Sequence, residues 1–255
     1  MSNAALSIQN YIRTAASRGR ETERIGPFLA TFSPHTTNPY LNYAVPDAGA
    51  EPTAADAAAL AAAFERRGRQ PRLEFLPGPA PAVEKALAAN GYVVDLRVPL
   101  MDCPPGAVVD HPVPAGIELA TPETDDEIVE MIRVRNGAFG NTEEVTVAEA
   151  DRYREGRAAG VRTLLARDLA TGAVAGAGLH DAIVDGITEL AGFGVAERYR
   201  RRGIAVVLTA HLTRMAHEAG AATVFLTPGG DEAERVYARA GYRRQDEVVF
   251  MSRPA

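Results

Sequence analysis

At 255 residues, 46% of them apolar and 24% charged, the chain is long enough for one large domain or two modest ones and has the composition of an ordinary globular protein. A formal charge of −6 argues against nucleic acid as a partner, because phosphate binding needs an excess of Lys and Arg on one face. A single cysteine, Cys103, excludes an internal disulfide and fits a reducing cytoplasm, and no metal site is expected, since His211 and His217 are not spaced to share a helix face. No apolar run approaches the roughly 20 residues of a bilayer span and no basic-then-apolar leader opens the sequence, so no membrane partner is expected and the location is read as cytoplasmic.

Along the chain, Pro77-Gly78-Pro79-Ala80-Pro81 marks a tight turn, and the Pro-rich stretch at 104–115 reads as a linker, because prolines without periodicity build neither a helix nor a central strand. The expected division is therefore 1–103, 104–115 and 116–255. After the linker a strand at 116–120 leads into a helix opened by Thr121-Pro122-Glu123 and running to about Asn136, then a polar helix at 147–159. Strand patterns at 162–167, 174–183 and 187–195 follow, with turn residues between them. A long helix at about 202–219, a strand at 223–227, a helix at 231–240 and a strand at 242–251 complete a mixed α/β domain.

The sequence repeats itself at one fixed offset. Phe75-Leu76 matches Phe225-Leu226, Gly91-Tyr92 matches Gly241-Tyr242, Met101 matches Met251 and Val45 matches Val195, each pair 150 residues apart. The first copy is shorter, with too few residues before Val45 to hold the two helices and three strands expected before Val195. It also departs at informative places. Opposite Arg200-Arg201-Arg202-Gly203-Ile204-Ala205 stands Ala50-Glu51-Pro52-Thr53-Ala54-Ala55; opposite Tyr237 stands Leu87, and opposite Glu189 stands Pro39. The first copy therefore cannot bind an anion as the second can, and one cofactor per chain is expected.

In the second copy the strand 189–195 runs into the arginine cluster and directly into a helix. Such an entry offers unpaired backbone N–H groups, the positive end of the helix dipole and forked arginine donors, which together suit a pyrophosphate. A solvated basic turn is the bland reading, but cations at a helix N-terminus oppose the dipole.

With Arg200, Gly203 and Ala205 in that spacing, residues 116–255 resemble the GNAT superfamily of acyl-CoA-dependent N-acetyltransferases, whose signature is Gln or Arg, two residues, Gly, one residue, then Gly or Ala. The order of elements and the segment Ala233 to Tyr242 resemble the family as well, and the first copy resembles the degenerate half of tandem GNAT proteins. The resemblance implies a mixed, mostly antiparallel central sheet flanked by helices, with a partial N-terminal repeat. It implies that the backbone of Phe193, Gly194 and Val195 pairs with pantetheine and that the amides of Arg201, Arg202, Gly203, Ile204 and Ala205 hold the pyrophosphate of acetyl-CoA. Many members carry Asn near the position of Gly230, so a side-chain contact there is not carried over.

Transfer to an amine needs a proton for the departing thiolate, and Tyr237, a phenol that stays protonated near neutral pH, is the candidate donor. Its bland reading is a core tyrosine. Glu189 stands where histone-type members carry a general base; by strand alternation it shares a face with Ala191, Phe193 and Val195, where apolar neighbours would raise its pKa, and its bland readings are a carboxylate at the end of a strand or one turned to solvent by a bulge near Gly192. Residues 135–140 are the expected acceptor wall, and Glu143, Glu144 and 149–151 could attract a cationic amine. Two functions stay open: an N-acetyltransferase acting by direct attack of a small-molecule or peptide amine, and an acyl-CoA-binding regulator or scaffold without turnover. The oligomeric state is left between monomer and homodimer.

Overall fold

A computed structural model describes residues 3–254, with residues 1, 2 and 255 outside it. In chain order the elements are α1 (Asn3–Ser17), β1 (Glu21–Ile25), β2 (Phe28–Phe32), β3 (Asn42–Pro46), α2 (Ala54–Glu65), β4 (Arg72–Phe75), α3 (Val83–Ala88) and β5 (Val93–Asp102). There follow β6 (Ile117–Ala120), α4 (Asp125–Ala138), α5 (Val147–Ala158), β7 (Arg162–Asp168), β8 (Val174–His180), β9 (Ile187–Val195), α6 (Ile204–Glu218), β10 (Thr223–Leu226), α7 (Asp231–Arg239) and β11 (Arg243–Ser252). The strand periods read from the sequence fall on strands and the helical periods on helices. Two places depart: β8 ends at His180 and not at 183, and α4 starts later than expected. Thr124, not Thr121, is its cap, because Glu127 reaches back to the Thr124 N–H at 3.1 Å while its own N–H donates to Thr124 Oγ1 at 3.2 Å, a reciprocal capping box.

The offset of 150 lands element on element: α2 begins at Ala54 and α6 at Ile204, and β5 spans Val93–Asp102 where β11 spans Arg243–Ser252. Before β3 the first copy holds one helix and two strands, against β6, α4, α5, β7 and β8 before β9. The compact units do not follow chain order, however. One comprises Met1–Leu100 with Arg244–Ala255, the other Met101–Arg243. In the first, β1, β2 and β3 form an antiparallel meander, β3 pairs in parallel with β4, and β4 pairs antiparallel with β11. Its core joins Phe28, Phe64, Leu73 and Phe75 to Val249 and Met251 of β11. In the second, Met101 and Asp102 pair with Leu226 and Phe225 of β10, β10 runs parallel to β9, and β9, β8, β7 and β6 are antiparallel neighbours. Helix α4 covers one face of this sheet through Ile128, Met131 and Ile132, and α6 covers the other through Leu208 and Leu212. Each copy thus lends its last strand to the penultimate strand of the other.

The segment expected to be a free linker is tied along the second unit. Cys103 N–H donates to Val224 O at 3.0 Å, continuing the pairing of β5 with β10, and Val109 N–H donates to Ala240 O at 3.1 Å. His111 Nε2 lies 2.9 Å from Arg239 O, and Asp110 pairs with Arg214. Prolines deny this stretch a ladder of its own, but carbonyls left over at the end of α7 supply acceptors for it. Among the described residues no helix is long and apolar enough to cross a membrane, and no cluster of three or more His, Cys, Asp and Glu is placed to hold a metal.

In the first unit the ends of β3 and β4 are joined by a side chain. The buried Gln9 of α1 donates from Nε2 to Pro46 O at 3.0 Å and accepts the Leu76 N–H on Oε1 at 2.9 Å, while Arg13 Nη1 donates to Val45 O at 3.1 Å. Gln9→Ala would leave a buried acceptor and a buried donor unpaired. It is expected to destabilise the first unit by about 2–4 kcal/mol in urea unfolding, and a loss under about 0.5 kcal/mol would contradict this role.

Candidate active site

Strands β9 and β10 pair at Thr223↔Ile187, Val224↔Thr188 and Phe225↔Glu189, and there the parallel ladder stops. Beyond Glu189, β9 keeps only its other neighbour, β8. Because Ala196 N–H donates across to Ala175 O at 2.9 Å, alternation turns the backbone groups of Phe193 and Val195 the other way, to the side β10 has left. Val195 O accepts Arg200 Nε at 3.3 Å. By this register the N–H and C=O of Phe193 and the N–H of Val195 face away from β8, on the side where the ladder with β10 has ended. An unpaired strand edge inside a domain is a template for an added strand-like group.

A bulge interrupts β9 beside this edge. Two steps along β8, from Ala177 to Leu179, face three along β9, from Gly194 to Ala191, and Gly192 takes φ +62°. The bulge corrects the face assigned to Glu189. Opposed residues share a face, so Ala191 lies with Leu179, Ala177 and Gly194 on the α4 side, where a Cβ on Gly194 would stand 2.8 Å from Arg135 Cα. Two residues before Ala191, Glu189 is on that side too. Phe193 is on the opposite side, with Leu212 of α6, and a Cβ on Gly178 would stand 2.5 Å from its ring. Simple alternation would have put Glu189, Ala191, Phe193 and Val195 on one face. The extra residue divides them into Glu189 with Ala191 and Phe193 with Val195, and a glycine inside a strand pattern was the available signal.

The chain leaves β9 through a short 3-10 turn at Glu197–Tyr199 and enters α6 without a side-chain cap or an acidic residue in its first turn. Gly203 at φ +83° and Arg201 at φ +61° are both left-handed, the latter an uncommon state for a residue with a side chain. Left-handed residues of this kind are a feature of backbone turns whose successive N–H groups can form a concavity for an anion. Among the described residues the N–H groups of Arg201, Arg202, Gly203, Ile204, Ala205 and Val206 have no partner, and Arg200, Arg201 and Arg202 have no carboxylate within ion-pair distance. Sequence reasoning passed over Tyr199, which fixes the turn. Its ring lies under Arg198 and Arg202, with guanidinium carbons 4.8 and 5.5 Å from the centroid, and its hydroxyl donates to Asp168 Oδ2 at 2.8 Å, holding that carboxyl below its usual range.

Tyr237 stands beside the free edge. Its ring centroid is 5.6 Å from that of Phe193 and 6.3 Å from that of Tyr242, and its hydroxyl makes no hydrogen bond among the described residues. Burial pushes the phenol up to about 12. Tyr237, Phe193 and Val195 are therefore gathered with the N-terminal turn of α6 on one side of β9, while Glu189 lies on the other.

The equivalent places in the first unit are closed. Thr53 and Asp56 form a capping box on α2, with Thr53 N–H donating to Asp56 Oδ2 at 2.8 Å and Asp56 N–H to Thr53 Oγ1 at 3.2 Å, which answers the helix dipole with an acid. Leu87 is wholly buried. Pro46 and Leu76, the counterparts of Ala196 and Leu226, are bridged by Gln9.

Residues 127–242 match the model of the Acetyltransferase (GNAT) family. The whole chain is similar to a GCN5-related N-acetyltransferase from Kribbella flavida, at 25% identity and a TM-score of 0.83, covering 100% of this chain and 97% of that one. It shares the fold of a tandem GNAT protein from the clavulanic acid biosynthesis pathway, at 17% identity and a TM-score of 0.63 over 97% of this chain and 91% of that one. A GCN5-related N-acetyltransferase from Sphaerobacter thermophilus, 21% identical, aligns with a TM-score of 0.58 over 73% of this chain and 61% of that one, again a likeness of fold. No curated protein matches the chain in sequence.

The bulge itself is open to test. A Cβ at Gly192 would meet both a left-handed backbone and the Arg135 guanidinium that lies against it. Gly192→Ala is expected to cost about 1–3 kcal/mol of stability, read by urea unfolding, and an unchanged midpoint would contradict the conformation described.

Proposed function

We propose, since residues 127–242 belong to the acetyltransferase (GNAT) family and the N-terminal half has a GNAT-like fold, that the second unit binds acetyl-CoA along β9 and α6 and transfers its acetyl group to the primary amine of a small-molecule or peptide acceptor. The family supports acyl transfer in general. The observation that carries the finer reading is the unpaired edge at Phe193 and Val195 running straight into the uncapped start of α6. The edge offers amide-pairing groups to pantetheine, and the N–H groups of Arg201 to Ala205 with the flanking guanidinium groups offer a pyrophosphate site.

The division of β9 into two faces supports direct attack. The expected acceptor wall at 135–140 and Glu189 share the α4 side, which supports Glu189 as the group that takes the amine proton, directly or through water. Tyr237 is on the opposite side, where the sulfur would leave. The amine nitrogen bonds to the thioester carbonyl carbon, the carbon–sulfur bond breaks, and the thiolate takes the phenolic proton, giving the N-acetyl product and free CoA; solvent then resets both groups. Cys103 is no nucleophile in this scheme, being buried in the extension of β5 with its thiol pushed up to about 11. A phenol left without a partner at the edge favours the enzyme over a binding protein without turnover.

Tyr237→Phe is expected to lower kcat by roughly 100-fold, measured as amine-dependent thiol release, with acetyl-CoA affinity unchanged. The acid form of Tyr237 is the active one, and burial extends that form to a pKa of about 12, so Tyr237 imposes no alkaline loss of rate below about pH 11. An unchanged kcat in the variant would remove Tyr237 from the mechanism.

A further inference from the structure

We propose that the acceptor amine also carries a carboxylate, as a free amino acid does, and that Arg135 is the group that binds it. The inference rests on the acetyl-transfer reading of this unit and adds a substrate class to it.

Arg135 projects from α4 onto the β9 bulge. Its Nε donates to Gly192 O at 2.9 Å, and its guanidinium lies so close over Gly192 that any side chain there would overlap it. That one bond leaves the two Nη groups without a hydrogen bond or an ion pair among the described residues. Other enclosed arginines are answered by acids: Arg13 by Asp47 at 2.7 Å, Arg72 by Asp95 at 3.3 Å, Arg67 by Glu23 at 2.8 Å and Arg167 by both Glu118 and Glu127. Around Arg135 the titratable group that acts on it is the phenol of Tyr153, and burial holds the guanidinium below its ordinary pKa. A cation enclosed without a counter-charge is costly, and a ligand that brings the charge removes the cost.

The neighbouring acids are engaged elsewhere. Glu149 accepts from Thr146 N–H at 2.8 Å and from Asn136 Nδ2 at 3.1 Å, Glu130 accepts the Val174 N–H at 3.0 Å, and Asp151 pairs with Arg154 at 2.8 Å. Glu149 and Asp151, read from the sequence as a lure for a cationic amine, are thus satisfied within the protein. What the wall presents is a planar fork with two donors, the geometry that suits a carboxylate. The fork is beside the free edge of β9 and on the face that carries Glu189, so one acceptor can hold its carboxylate at Arg135 while its amine reaches the reacting carbonyl.

The test compares L-amino acids with their C-terminal amides as acceptors, by thiol release, in the parent protein and in Arg135→Gln and Arg135→Lys. The acids are expected to exceed the amides by roughly 10- to 100-fold in kcat/KM in the parent. In Arg135→Gln the preference should vanish through KM with acetyl-CoA affinity unchanged, and Arg135→Lys should keep part of it. The acid-to-amide comparison in the parent needs no variant, so a misfolded Arg135→Gln leaves it intact. Amides acetylated as well as acids, or better, overturn the inference and leave acetyl transfer standing. Calorimetry with CoA present, titrating N-acetyl amino acids against their amides, reads the same contact without turnover. Acid-selective binding there that depends on Arg135, in a protein that acetylates no amine, upholds Arg135 and refutes acetyl transfer; equal binding of acid and amide overturns the assignment.

Discussion

Two parallel strands that part company leave backbone donors and acceptors facing an open gap, and those groups must find partners. This constraint arises twice in the chain and is met in opposite ways. In the first unit the answer is internal: Gln9, buried on α1, places a carboxamide between Pro46 O and the Leu76 N–H, and Arg13 takes Val45 O. In the second unit α4 and α6 cover the faces of the sheet, and the β9–β10 ladder ends at the pair of Glu189 with Phe225. Under the proposed function, that gap is where the pantetheine arm pairs with the strand edge.

The same contrast governs the helix that follows. Residues Thr53 and Asp56 close the start of α2 with a reciprocal cap, whereas α6 starts from a left-handed glycine with arginines in place of acids. Local stability favours the first arrangement, since an acid there complements the positive end of the helix dipole and a cation opposes it. Arg201 at φ +61° is a second local conflict at the same turn. These locally unfavourable choices are concentrated in six residues beside the edge, which supports the proposed pyrophosphate site, and Tyr199, held between Arg198, Arg202 and Asp168, keeps the turn in place.

Much of this was legible in the sequence. The repeat, the strand and helix periods and the arginine-glycine turn follow from spacing alone, and where the first copy lacks the arginines, at 50–55, its helix start carries a capping box instead. What escaped has physical causes. The capping box at Thr124 overrode the proline signal three residues earlier. The bulge at Gly192 reversed the alternation from which the face of Glu189 was read. The exchange of β5 and β11 was invisible because both strands descend from one pattern, so either satisfies the edge of β4 or of β10. The Pro-rich stretch looked detached because its partners are carbonyls at the end of a helix more than a hundred residues away. Arg135 was read as part of a wall, but its solitary charge is visible only once the acids around it are seen to be engaged.

One gap is open and the other is closed by the chain itself. Calorimetric titration of the full chain with acetyl-CoA tests this directly. Saturation at one equivalent per chain is the result the account predicts; a second equivalent, or no binding at all, would contradict it.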